Sequence, residues 1–192
     1  MVASADTRAT ATQESAAAPR VALVTGAGKR LGRAIALALA QDGWDIGVHC
    51  RDSVVEAEQT VKDIQALGRR AVVLQANLDD AGPCQTLVPR LADALGPVSG
   101  LVNSASRFEY DDIRSFTPES LHEHLLPNLM APLLLAQSLV SQLPAAPVQG
   151  VIVNLLDQKL FNLNPDFLSY TLSKAALSAA TTMLAQALAP RM

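Results

Sequence analysis

Tyr170 and Lys174 stand four residues apart, a spacing that puts both side chains on one face of a helix. An ammonium beside a phenol stabilises the phenolate and lowers the tyrosine pKa from about 10, which brings proton donation and return nearer to neutral pH. Far upstream, Thr25-Gly-Ala-Gly-Lys-Arg-Leu-Gly32 follows the apolar run Val21-Ala-Leu-Val24. Gly26 permits a tight turn, Gly28 lets backbone approach a pyrophosphate, and Gly32 lets a helix pack closely with its free N–H groups toward the phosphates. A strand before the glycines and a helix after them is the context in which such a trio holds a dinucleotide. Thr25, Lys29, Arg30 and Leu31 share that loop and are expected to touch the same ligand.

A proton-transfer pair and a phosphate loop so distant in sequence meet only on a scaffold that returns each strand to one edge. Short β-branched runs alternate with longer helical stretches, the signature of parallel strands joined by crossover helices. The expected strands are Arg20 to Val24, Asp45 to Cys50, Ala71 to Gln75, Gly100 to Asn103 and Val151 to Leu155. Helices are expected at Leu31 to Gln41, Val54 to Leu67, Cys84 to Leu95, Pro118 to Leu143 with prolines at a start or bend, and about Ser169 to Ala189. The reading is an α/β, doubly wound, Rossmann-like parallel sheet with helices on both faces. Residues 20–192 form one nucleotide-binding domain, and residues 1–19, rich in Ala, Thr and Ser, are expected to be a disordered tail. The last helix is apolar or small almost all round. It packs on the sheet as a core helix or, as a homo-oligomer seam, joins a dimer or tetramer.

Composition narrows the function further. The chain is 49% hydrophobic and 17% charged, with a net charge of -3 and a mean hydropathy of +0.22. An acidic balance with no basic stretch gives nucleic acid no purchase. Cys50 and Cys84 are too few for a disulfide framework, and no Cys/His cluster has metal-site spacing. The N-terminus lacks the apolar segment of a signal peptide, and Leu125 to Leu143 is interrupted by Pro127, Asn128, Pro132, Gln137 and Gln142. A cytoplasmic protein with a small-molecule substrate, no membrane partner and no metal is expected.

The second strand ends His49-Cys50-Arg51. An acidic residue there would hold a ribose 2′-hydroxyl, whereas an arginine accepts a 2′-phosphate. Arg51, helped by Lys29 or Arg30, therefore favours NADPH over NADH, unless Asp52 claims it as a surface ion pair.

The spacing Gly-x-Gly-x-x-x-Gly with a downstream Tyr-x-x-x-Lys resembles the short-chain dehydrogenase/reductase family from about Arg20 to Met192. That resemblance implies that Asn77 and Leu78 after strand three meet the adenine, and that Asn103, Ser104 and Ala105 after strand four line the cofactor. Ser104 and Ser106 depart from the family's Asn-Asn-Ala-Gly pattern. Asn128 resembles the asparagine that holds a water in a proton relay to the lysine; the alternative is a polar residue at a helix bend. Where the family has a catalytic serine, 13 positions before the tyrosine, this chain has Asp157.

A carboxylate would repel a carbonyl oxygen gaining negative charge, so Asp157 disfavours simple ketone reduction. It suits a substrate that offers N–H donors or takes a proton on a ring nitrogen, or else it is a loop or cap residue. Thr-Gly-x-x-x-Arg-x-Gly and Asn-x-Ala-Ser-x-Phe resemble the pteridine reductase and dihydromonapterin reductase branch. The resemblance implies that Arg30 reaches the cofactor phosphate and the substrate, that Ser106 borders the substrate, and that Phe108 stacks a pterin ring. Tyr170, Lys174, Asp157 and Asn128 form the catalytic set under this reading. Competing readings are a carbonyl reductase of the 3-oxoacyl type and a non-catalytic nucleotide-binding module. Relatives continue past the catalytic helix through two more strands, so a chain ending at Met192 is expected to be a fragment or a truncated form lacking them.

Overall fold

The structure, a computed structural model, describes residues 20–143, 149–190 and 192; the expected tail lies outside them. Five parallel strands run in the order β3-β2-β1-β4-β5: β1 Arg20–Val24, β2 Trp44–Cys50, β3 Ala71–Gln75, β4 Val98–Asn103 and β5 Val151–Asn154. Alternate residues of β1 face opposite layers. Val21 and Leu23 join a core with Leu87, Leu91, Leu135 and Leu139, while Ala22 and Val24 join Ala36, Ile46, Val48 and Ile64. Burial on both faces is why the central strands read as continuous apolar runs rather than alternating ones.

The helices are α1 Arg30–Gln41, α2 Val54–Ala66, α3 Ala81–Leu95, α4 Pro118–Leu125, α5 Ala131–Gln142 and α6 Leu168–Leu188. α3 starts three residues earlier than the apolar pattern indicates, because Asp80 caps it, accepting the Gly82 N–H at 3.0 Å. Gly82 and Pro83 are tolerated in that first turn, where N–H groups lack intrahelical partners. The expected single helix from Pro118 is divided by a π-helical turn, Leu126–Met130. Pro127 sits inside it and cannot donate to the helical ladder, and such turns cluster at functional sites. No described helix is long and apolar enough to cross a membrane.

Candidate active site

β1 leads to α1 on one side of the sheet, while β4 lies between β1 and β5. This reversal of strand order opens a crevice at the carboxyl ends, where doubly wound sheets hold ligands. A cavity of about 1130 Å³ fills it, reaching from Arg51, Asp52 and Ser53 to Asp157, Tyr170 and Lys174.

The glycine turn is built as its spacing predicts at two of three positions. Gly26 has φ 66°, and a Cβ on Gly32 would collide with the Gly26 carbonyl. Gly28 serves a different end. It does not line the cavity; a Cβ there would meet Ser53 Oγ at 3.0 Å and Ala57 N at 3.3 Å, so its bareness admits the start of α2. Lys29, Arg30 and Leu31 line the cavity. Lys29 pairs with Glu56 at 2.6 Å, whereas Arg30, at φ 50°, has no ion pair among the described residues. No side chain caps α1, which leaves its first N–H groups to a ligand.

His49 was not legible in the sequence as a site residue. Its Nδ1 accepts the Gly26 N–H at 3.1 Å, its backbone oxygen accepts the Ala27 N–H at 2.8 Å, and its Nε2 lies 3.2 Å from the Ala76 carbonyl. Only the Nε2-protonated tautomer satisfies both ring contacts. Burial pushes its pKa down to about 4, against the pull of the Ala76 carbonyl, so the ring is neutral and clamps the turn to the end of β3. A polar residue within the buried run of β2 was the available signal.

Arg51 lies beside Asp52 at 2.7 Å and 3.9 Å from Asp79. Its side chain is 59% exposed, so these pairs are weak and can be exchanged for a ligand anion. Asn77 and Leu78 line the same end, with Asn77 Oδ1 accepting the Asp79 N–H at 3.1 Å.

Thr25 and Asn103 do not line the cavity. Thr25 Oγ1 accepts the N–H groups of Ser104 at 2.9 Å and Ala105 at 3.0 Å, fixing the loop that does. Asn103 donates to Asn154 Oδ1 at 2.8 Å, and its own buried Oδ1 has no partner. Ser104, Ala105, Ser106 and Phe108 all reach the cavity.

Asn128 is fully buried and its side chain is saturated. Oδ1 accepts from Arg107 N at 2.8 Å and Ser106 Oγ at 3.1 Å; Nδ2 donates to the Arg107 carbonyl and to Ser173 Oγ, both at 2.9 Å. With both donors and both lone pairs taken, the side chain fastens the Ser106–Arg107 segment to α6. Farther along that segment His124 Nε2 accepts the Glu109 N–H at 3.2 Å. Asp111 then caps α6 from outside: its carbonyl takes the Leu168 N–H at 3.2 Å, Oδ1 takes the Ser169 N–H at 2.9 Å, and Oδ2 accepts from the Ser169 and Ser120 hydroxyls. Despite burial, these bonds hold its carboxyl below the usual range, as an anion at a helix N-terminus should be.

Tyr170 is the third residue of α6, and its hydroxyl donates to Asp157 Oδ2 at 2.7 Å. Oδ1 of Asp157 accepts the Lys159 N–H at 2.8 Å, capping a 3-10 turn at Gln158–Leu160. Asp157 is thus both a cap and a site residue. The Lys159 N–H and then the Tyr170 hydroxyl hold its carboxyl below the ordinary range.

The expected lowering of the tyrosine pKa is not found. Burial and then the bond to Asp157 raise the phenol well above its usual value. Lys174 Nζ donates to the Leu155 carbonyl at 2.9 Å and stands 5.8 Å from the Tyr170 ring centroid, so its charge does not outweigh the adjacent carboxylate. Burial in turn lowers the Lys174 pKa, with Asp157 opposing. Tyr170 is a neutral phenol whose proton is already directed at a carboxylate.

A family model for short chain dehydrogenase matches residues 20–192. The crystal structure of FolM alternative dihydrofolate reductase 1 from Brucella suis in complex with NADP is 40% identical with a TM-score of 0.85, aligning 90% of this chain with 71% of that one. A short chain dehydrogenase from Burkholderia cenocepacia, also in complex with NADP, is 34% identical with a TM-score of 0.84, over 90% of this chain and 69% of that one. An uncharacterized oxidoreductase of Methylorubrum extorquens is 34% identical over 172 residues, 90% of this chain and 68% of the relative; for a stress protein of Bacillus subtilis the latter share is 58%. The five-stranded parallel sheet agrees with these matches, and the chain belongs to the short-chain dehydrogenase family.

Proposed function

We propose that this chain is an NADPH-dependent reductase that adds a hydride and a proton across a carbon–nitrogen double bond of a pterin-like flat heterocycle. The observation that carries this reading is the 2.7 Å bond from Tyr170 to Asp157. It puts an ionised carboxylate where reduction of a carbonyl calls for a hydrogen-bond donor.

The cavity suits a nicotinamide dinucleotide. Its volume slightly exceeds that of common small-ligand pockets, α1 offers uncapped N–H groups, and Arg30 has no competing ion pair among the described residues. Arg51 and Lys29 stand where a 2′-phosphate would be held, which with the NADP-bound relatives supports NADPH. The bound cofactor supplies the hydride.

Asp157 accepts an N–H of the substrate ring in place of the phenol, which frees Tyr170 to give its proton to the ring nitrogen. One C–H and one N–H bond form as the C=N π bond is lost, and the cofactor is oxidised. Release from Asp157 lowers the phenol pKa, and the Lys174 ammonium stabilises the phenolate left behind. Phe108 borders the cavity and would stack the flat ring of the substrate.

Following NADPH absorbance in the presence of a dihydropterin or a plain β-ketoester tests the reading. Turnover of the dihydropterin with little of the ketoester is expected. Ketoester turnover alone assigns a carbonyl reductase, and cofactor binding without turnover of either assigns a nucleotide-binding module; both results defeat the proposal.

A further inference from the structure

Phe108 does not stand alone at the cavity. Phe167, which does not line it, stacks on Phe108 with ring centroids 4.3 Å apart and planes 9° from parallel. Phe108 also meets Tyr170 edge-on at 4.6 Å. Phe167 is itself held from outside, by the edge-on ring of Tyr110 at 5.3 Å and by the Lys159 ammonium 5.3 Å from its centroid. That ammonium is anchored on Asn164 Oδ1 at 2.7 Å.

The backbone of Phe167 is left-handed, with φ 57° and ψ 50°, a region that a bulky side chain rarely occupies. Helix capping does not call for phenylalanine here. Its side chain makes no cap bond, the first N–H groups of α6 go to Asp111, and glycine would take the same φ without strain. A strained residue persists where its surroundings over-determine it, and such outliers gather at functional sites. What the strained turn delivers is a ring laid flat against Phe108.

We propose that Phe167 is a positioning and specificity-determining residue: it buttresses Phe108 as a rigid stacking wall for a flat heteroaromatic ring. This rests on the reading that Phe108 stacks the substrate. Phe108 is 54% exposed, so on its own it would have to be ordered by each incoming ligand; a parallel partner fixes it beforehand, and that preorganisation appears as affinity. An aliphatic substrate, which gains nothing from a fixed ring face, should be indifferent to it.

The test is equilibrium binding of folic acid, an oxidised pterin that needs no turnover, to the full chain in the presence of NADP⁺. Phe167→Ala and Phe167→Gly should each weaken folic acid binding by about three- to tenfold, the range that one aromatic contact supplies. NADP⁺ affinity should not change, and Phe167→Tyr should restore folic acid binding. Phe167→Gly should melt above Phe167→Ala, since glycine relieves the backbone while losing the same ring. Phe108→Ala is the control for the underlying reading. If Phe108→Ala weakens binding and both Phe167 variants do not, the buttress is refuted while the stacking reading stands. If Phe108→Ala has no effect, or the unaltered chain does not bind folic acid, the stacking reading falls and the buttress with it.

Discussion

The Tyr170 hydroxyl and Asp157 Oδ2 lie 2.7 Å apart, and the partner oxygen of that carboxylate is pinned by the Lys159 N–H. The carboxylate therefore cannot rotate away without uncapping the turn that follows it. Replacing Asp157 by serine exchanges an acceptor for a donor at this point. Asp157→Ser should lower turnover of a dihydropterin about a hundredfold and raise that of a β-ketoester, the size of effect seen when one oxyanion donor is added or removed. Steady-state kinetics with both substrates decides; an unchanged preference would detach Asp157 from the chemistry.

His49 gives a pH signature. Its folded pKa of about 4 lies below the ordinary value of 6.5, so the unfolded chain binds the extra proton first as pH falls. Stability from the neutral ring is present above about pH 6.5 and is lost as pH falls through about 4. The loss should be on the order of 3 kcal/mol. Urea unfolding across that window should show a His49→Asn variant lacking this component, and parallel pH profiles for the two proteins would contradict the assignment.

Asn128 is the tie between the Ser106–Arg107 segment and α6. Asn128→Ala leaves the Arg107 N–H and carbonyl without their partner, while the Ser173 hydroxyl keeps its bond to the Tyr170 carbonyl. At about 1–3 kcal/mol for each buried group left unpaired, partly recovered by relaxation, a loss of about 2–4 kcal/mol is expected. Chemical denaturation measures it; a change under 1 kcal/mol, on the order of a surface substitution, would mean the loop is held elsewhere.

Under the proposed reading Arg51 sets the cofactor preference. Because it is exposed and already shared with Asp52 and Asp79, its contribution to a 2′-phosphate is screened. Arg51→Ala should weaken NADPH binding by about tenfold and leave NADH binding unchanged. Fluorescence titration with both cofactors checks the difference, and equal weakening of the two would place Arg51 elsewhere in the site.

How much could be read beforehand depended on distance along the chain. All five strands, the helices around them, and the roles of Gly26 and Gly32 follow from local pattern, because apolar runs and turn residues act over a few positions. The face shared by Tyr170 and Lys174 follows from helical geometry. The electrostatics of that face do not, since the Tyr170 pKa is decided by burial and by Asp157, whose contact is made in space. The spacing points Gly28 at a ligand, whereas a Cβ there would meet Ser53 and Ala57 at the start of α2. Phe167, His124 and Asp111 carry no periodic or spacing signal; each matters through a partner that only the folded chain supplies. The π-helical turn likewise has no pattern beyond Pro127 and Asn128.

The segment from Ser104 to Asp111 is gripped by Thr25, Asn128 and His124 and closes on α6 through Asp111. Four elements thus share in holding one short wall of the cleft. Such a wall sorts ligands by shape before they bind rather than by yielding to them. Inhibitors seeking selectivity gain most by matching that wall closely.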